Sequence, residues 1–128
     1  DLNDYANEHV IIVDSIGILL ALYQYADIAY VGGSFKQGIH NVLEPAVYGC
    51  PVLYGPKHEN SQEAIELARR GGGIVVQTRD ECRQTLERLF HDDRKRKKTG
   101  TIALTLVKQN IGATKRFIDY ISPVLRNY

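Results

Sequence analysis

The sequence has no methionine and no tryptophan, and only two cysteines and four prolines among its 128 residues. Without a methionine, and beginning at Asp1, the chain reads as a piece of a longer protein, with a catalytic partner domain expected outside it. Cys50 and Cys82 stand far apart and belong to no CxxC or Cys/His cluster. That excludes a disulfide framework or a zinc site and fits reduced thiols in a cytosolic setting. The longest apolar segment, IGILLALYQYA, falls well short of the roughly 20 residues a membrane helix needs, and no signal peptide is expected. An excess of charge is lacking too. Sixteen basic residues against fifteen acidic ones leave a net charge of +1, too little for a general attraction to nucleic acid or to an anionic membrane. The acidic residues form neither a DxD pair nor a cluster for a divalent ion, and no Ser/His/Asp order with a nucleophile elbow occurs. Neither a metal nor a resident cofactor is expected, nor a self-contained catalytic apparatus.

Apolar residues make up 44% of the chain and charged ones 24%, the balance of a soluble globular protein. The length suits one compact domain over residues 1–128. The one dense basic cluster is HDDRKRKK, His91 to Lys98. It reads either as a solvated helix surface or turn, or as a contact for acidic lipid or another anionic partner.

Short apolar runs alternate with segments of helical spacing. VIIV (Val10 to Val13) reads as a buried strand, and Ile16 to Tyr25 as a helix capped by Asp14 or Ser15. IAYV (Ile28 to Val31) is a second strand. After a glycine-rich loop comes a short helix from about Val42 to Tyr48, ended by Gly49, and then a third strand, VLY. Gln62 to Arg70 puts Ala64, Ile65, Leu67 and Ala68 on one helical face. Gly71 to Gly73 stop that helix, IVVQ (Ile74 to Gln77) is a fourth strand, and Thr78 or Asp80 caps a helix to about Phe90. From about Arg94 the pattern is helical, one segment to about Gln109 and another from Ile111 to Pro123. The alternation predicts an α/β fold with a doubly wound parallel sheet. Ligands then bind beyond the carboxyl ends of the strands.

Two loop-to-helix junctions lie there, DSIG (Asp14 to Gly17) and GIHNVLE (Gly38 to Glu44). First-turn amides without internal partners, at the positive end of a helix, form a cradle for phosphate. In the second junction Glu44 falls three residues after Asn41, the spacing of a capping box. Spacing alone leaves that reading open beside another, in which Glu44 accepts hydrogen bonds from vicinal hydroxyls of a ribose. His40 fits a structural donor or a catalytic group. Lys36 fits a solvated side chain or a partner for a ligand's charge. His58 and Asn60 fit a turn or the wall of the same cleft. Gly33, Ser34 and Gly38 complete the cleft candidates.

GGSFKQGIHNVLEPAVYGCPVLYGP, followed by Asn60 and Glu63, resembles the carboxyl-terminal, donor-binding domain of 3-deoxy-D-manno-octulosonic acid (Kdo) transferases. DSIGILLALYQYADIAYVGGS resembles the segment preceding it in that family. The likeness runs from about Val10 to Gln77, with a looser helical likeness to the end. It implies the Rossmann-like carboxyl-terminal half of a two-domain GT-B glycosyltransferase, truncated at its amino-terminal side. The implied donor is CMP-Kdo and the acceptor a lipid A precursor, with inversion at the anomeric carbon and no metal ion. Nucleotide contacts carry over to Ile16, Gly17 and Ile18, and to Asn41, Val42, Leu43 and Glu44. The base of the family is a glutamate of the amino-terminal domain, so this chain alone is expected to be inactive. The resemblance also implies a full-length protein at the cytoplasmic face of the bacterial inner membrane, the fragment itself being soluble. Three departures stand out. Ile18 replaces a glutamate common in the family, Ile39 replaces a glycine, and strands that precede this region in the family are absent. Their absence leaves a sheet edge through which two copies can pair as a homodimer. Other readings of the same loops are a GT-B enzyme or epimerase using a UDP-sugar, and a non-catalytic nucleotide-binding module. The HNxLEP string with the upstream DSIG favours the Kdo transferases.

Overall fold

The computed structural model describes residues 7–15, 17–35 and 38–125. In chain order the elements are helix α1 (Leu19–Leu22) with a 3-10 turn (Tyr23–Tyr25), strand β1 (Ala29–Val31), helix α2 (Leu43–Ala46) and strand β2 (Val52–Tyr54). Helix α3 (Gln62–Arg70), strand β3 (Gly73–Val75), helix α4 (Arg79–His91) and helix α5 (Asp93–Leu125) follow. The strands form one parallel sheet in the order β1-β2-β3, with Ala29 beside Val52 and Val52 beside Gly73.

β2 is apolar at every position because it is covered on both faces. Val52 and Tyr54 point to one side, where they meet Val31, Ala46, Ala64, Leu67, Ala103, Leu106 and Val107 from β1, α2, α3 and α5. Leu53 points to the other, where Val76 and Leu89 close over it with Cys82 and Leu86 of α4. Helices on both faces of a parallel sheet are the doubly wound arrangement that the alternation predicts. α5 lies so close to the chain entering β2 that a side chain on Gly100 would run into the backbone of Gly49.

Local signals set the boundaries in the central part of the chain. Ser61 Oγ accepts the Ala64 amide at 3.1 Å and opens α3. Its end is closed by Gly71 and Gly72, whose amides donate to Leu67 O at 3.1 and 3.0 Å. Thr78, the first of the two caps considered, opens α4 by accepting from Glu81 N at 3.1 Å, and Glu81 reaches back to Gln77 N at 2.8 Å.

Four expectations need correction. VIIV is not a strand. Its residues form no regular element and pair with no strand among the described residues, with Val10 78% and Ile12 89% exposed. The first helix is also shorter than Ile16 to Tyr25. Gly17 has φ +89°, outside any right-handed helix, so α1 begins after it with Ile18 as an N-cap that makes no side-chain bond. Neither Asp14 nor Ser15 caps it, and Ile16 lies outside the described residues. The sheet's last strand is Gly73–Val75 rather than Ile74 to Gln77. The two helices expected after Arg94 are one, α5, running through Asn110, Gly112 and Pro123. A glycine inside a helix costs only about 1 kcal/mol. Pro123 has no amide to donate to the Asp119 carbonyl, so it removes one bond from the last turns of α5.

Candidate functional site

The site lies beyond the carboxyl ends of β1 and β2, where two loops lock together. Ser34, fully buried, accepts the Gly55 amide on Oγ at 2.5 Å, and its carbonyl accepts Lys57 N at 2.8 Å. The first loop then doubles back, with Gly38 N donating to Gly33 O at 3.1 Å and His40 N to Gly32 O at 3.3 Å. Gly33 has φ +91°, and the place of its absent side chain is filled by Gly38 O and the His40 ring. Only glycine satisfies both that backbone and that space. The Asn60 side chain sits over Gly38 in the same way. Thus Gly33, Ser34, Gly38, His40 and Asn60 are brought into one packed unit. Lys36 lies outside the described residues.

Against this unit opens a cleft of about 320 Å³ lined by Ile39, His40, Asn41, Val42, Leu43, Asn60, Ser61 and Glu63. Asn41 Oδ1 accepts the Leu43 amide at 2.9 Å, so Asn41 caps α2 although the helix proper starts two residues later. The amides of Asn41, Val42 and Glu44 have no protein partner among the described hydrogen bonds. No bond joins the Glu44 carboxylate to the Asn41 amide there, so the capping box expected from spacing is only half made. α1 and α2 are four residues each, too short to build much of a macrodipole. Whatever attraction they hold for an anion comes from free amides rather than from a helix field. Val42 is buried and packs in the main core while bordering the cleft.

Glu44, Gly17 and Ile18 do not line this cleft. Glu44 faces the other side of the α2 start, where burial, and then the Glu44 charge, push the Tyr23 hydroxyl above its ordinary pKa. The 3-10 turn at Tyr23–Tyr25 packs against α2, while DSIG lies at the opposite end of α1. Ile39, the residue standing in place of a glycine, packs against the main core while lining the cleft. It fills space that a glycine would leave open.

Tyr54 anchors the second loop. Its hydroxyl donates to Ala64 O at 2.5 Å, and burial pushes its pKa up to about 12. Edge-on to its ring, with centroids 5.4 Å apart, stands His58, whose buried Nδ1 has no partner among the described residues. His58 shapes this loop and is not among the residues lining the cleft. Cys50 is equally structural, a buried thiol donating to Pro45 O at 3.1 Å. Sequence reasoning missed Ser61 and Tyr23, and also Asn110, Thr114 and Lys115 of α5. These last line a groove of about 750 Å³ that shares Leu43 and Glu63 with the cleft. A cap such as Ser61 is visible as a helix start. Nothing in the sequence signals that a helix fifty residues on would pass beside it.

No protein-family model matches the chain. It is 34% identical over 128 residues to the 3-deoxy-D-manno-octulosonic acid transferase of Haemophilus influenzae, covering 96% of this chain and 30% of that protein. The enzyme of the same name from Aquifex aeolicus is 43% identical over 83 residues, covering 63% of this chain and 24% of that protein. The chain thus spans less than a third of the length of these relatives. Among solved structures, the C-terminal CMP-Kdo binding domain of WaaA from Acinetobacter baumannii superposes with a TM-score of 0.68. It is 23% identical and covers 74% of this chain and 51% of that one, a likeness of fold. With the loop sequences, the sheet order and these relatives in agreement, the chain belongs to the 3-deoxy-D-manno-octulosonic acid transferase family, of which it represents one part.

Proposed function

We propose that this chain is the donor-binding part of an inverting, metal-independent Kdo transferase and holds the nucleotide of CMP-Kdo. The observation that carries the reading is that the amides of Asn41, Val42 and Glu44 have no partner among the described residues, next to a cleft walled by two interlocked loops. Peptide N–H groups left without partners at the start of a helix are satisfied by an anion such as the CMP phosphate. Glu44, on the Tyr23 side of the same turn, takes the ribose hydroxyls. Gly17 and the Ile18 backbone approach from α1, where Gly17 has no neighbouring atom in the way of a ligand.

In this reading the full-length enzyme transfers Kdo to a lipid A precursor at the cytoplasmic face of the inner membrane. A base from the other part of the protein deprotonates the acceptor hydroxyl, and the amides here stabilise charge growing on the departing CMP phosphate. The chain by itself binds donor nucleotide without transferring sugar. The edge of β1 away from β2 is the site where two copies pair.

Calorimetric titration tests the nucleotide reading. CMP is expected to bind, UDP to bind at least tenfold more weakly, and Glu44→Ala to abolish CMP binding while the circular dichroism spectrum is retained. UDP selectivity would move the chain to another nucleotide class, and a folded chain that binds neither would refute the reading.

A further inference from the structure

Beside the nucleotide cleft lies a second and larger hollow that a nucleotide does not account for. The cleft is about 320 Å³ and the groove next to it about 750 Å³, and Leu43 and Glu63 belong to both. The far wall of the groove is α5, with Asn110, Thr114 and Lys115 as its polar side chains and Ile111 and Ile118 among its apolar ones. That wall is fixed in place. Arg70, the last residue of α3, donates to Gln109 of α5 and to Glu66 at 2.6 Å. The residue before Asn110 is thus tied to the helix that carries Glu63. Leu106 and Val107, about one turn earlier on α5, are buried in the main core.

The two charged groups of the groove are not spent on each other. Lys115 makes no ion pair among the described residues, and Glu63 only accepts from Ser61 Oγ at 3.2 Å. A ligand that carries both an acid and hydroxyl groups uses both walls, because an ammonium donates to a carboxylate while a carboxylate accepts from hydroxyls. A neutral sugar gains little from Lys115.

The order of groups along the donor points the same way. With the ribose at Glu44, on the Tyr23 side of the α2 start, and the phosphate at the amides of Asn41, Val42 and Glu44, a sugar bonded to that phosphate leaves on the other side. That is the side of the cleft and the groove, which Glu44 does not line. Kdo is a 2-keto acid sugar, so its carboxylate is on the anomeric carbon itself, beside the phosphate ester. The carboxylate then falls near the boundary that Leu43 marks, and the rest of the sugar extends into the groove.

We propose, resting on the nucleotide reading above, that the groove between Glu63 and α5 holds the acid sugar of the donor, with Lys115 pairing with its carboxylate and Glu63 accepting its hydroxyls. Glu63 repels the carboxylate from the α3 wall, so the two charges also fix which face of the sugar turns toward α5.

The test is calorimetric titration of the chain with CMP and with freshly prepared CMP-Kdo, read as the ratio of the two affinities. The unaltered chain is expected to bind CMP-Kdo about tenfold more tightly than CMP, the effect of one charge-assisted hydrogen bond. Lys115→Gln should bring that ratio to about two or less, and Lys115→Arg should restore most of it, with CMP alone bound within roughly twofold by all three chains. Lys108→Gln removes a cation of α5 outside the groove and should keep the full preference. Equal affinity of the unaltered chain for CMP and CMP-Kdo, a preference that survives Lys115→Gln, or an equal loss in Lys108→Gln would each overturn the proposal and leave the nucleotide reading standing. A folded chain that binds neither ligand would refute both.

Discussion

Two short apolar runs meet opposite fates in this chain. VLY of β2 is fully buried, each residue 0% exposed. VIIV, forty residues earlier, leaves Ile12 89% exposed. Both are apolar at every position and both read as strands. The difference is that β2 has a strand on each side and helices on both faces, while Val10 to Val13 have no neighbour among the described residues. A strand is a relation between segments, and apolar content is only the invitation to form one.

The strongest way to break that contrast is to weaken both runs equally. Leu53→Ala should destabilise the chain by about 2–5 kcal/mol, the cost of emptying a closed core site. Ile12→Ala should change it by less than about 0.5 kcal/mol. Urea denaturation of the two variants measures the difference, and equal losses would mean that VIIV is packed. Next in size is the seam between the β1 and β2 loops. Gly33→Ala sets a side chain against the Gly38 carbonyl at positive φ and should cost roughly 1–3 kcal/mol. It should also weaken CMP binding, which calorimetry would read beside the melting curve. Smaller is the cap of α3, where Ser61→Ala should cost about 1 kcal/mol, measured as a shift in the urea midpoint.

The smallest effect belongs to the exposed side of α3. Arg69 and Arg70, hydrogen-bonded to Glu66, lower its carboxyl pKa from 4.5 to about 2. A depressed carboxyl pKa adds stability that is fully present above its unfolded value and is lost as the pH falls through the folded one. The contribution should therefore fade between pH 4.5 and about 2. Because these groups are at the surface, salt should screen most of it. Acid titrations of the chain and of Glu66→Gln, compared at low and high salt, check the sign.

How much was legible follows the same line. α3 and α4 were readable to within a residue because their caps are local chemistry, a hydroxyl three positions before the amide it accepts. The first helix was misread because a left-handed Gly17 interrupts its pattern, and α5 was divided because Asn110 and Gly112 look like a break. In the site, Gly33, Gly38, His40 and Asn60 were chosen for composition. Their actual relation is that His40 and Asn60 occupy the space above the two glycines. The capping-box spacing of Asn41 and Glu44, left open beside a ribose contact, is realised only as the bond from Leu43 N to Asn41 among the described residues.

What the sequence determined by itself was the alternation of strands and helices, the caps of the central helices and the loop strings that place the chain among Kdo transferases. These depend on residues close in the chain, so they survive without a fold. Tertiary structure alone decided that VIIV stays unpaired, that Ile39 belongs to the core as well as the cleft, and that α5 passes beside Glu63. Each depends on what lies across space, which hydrophobic burial and sheet pairing settle only when distant segments meet.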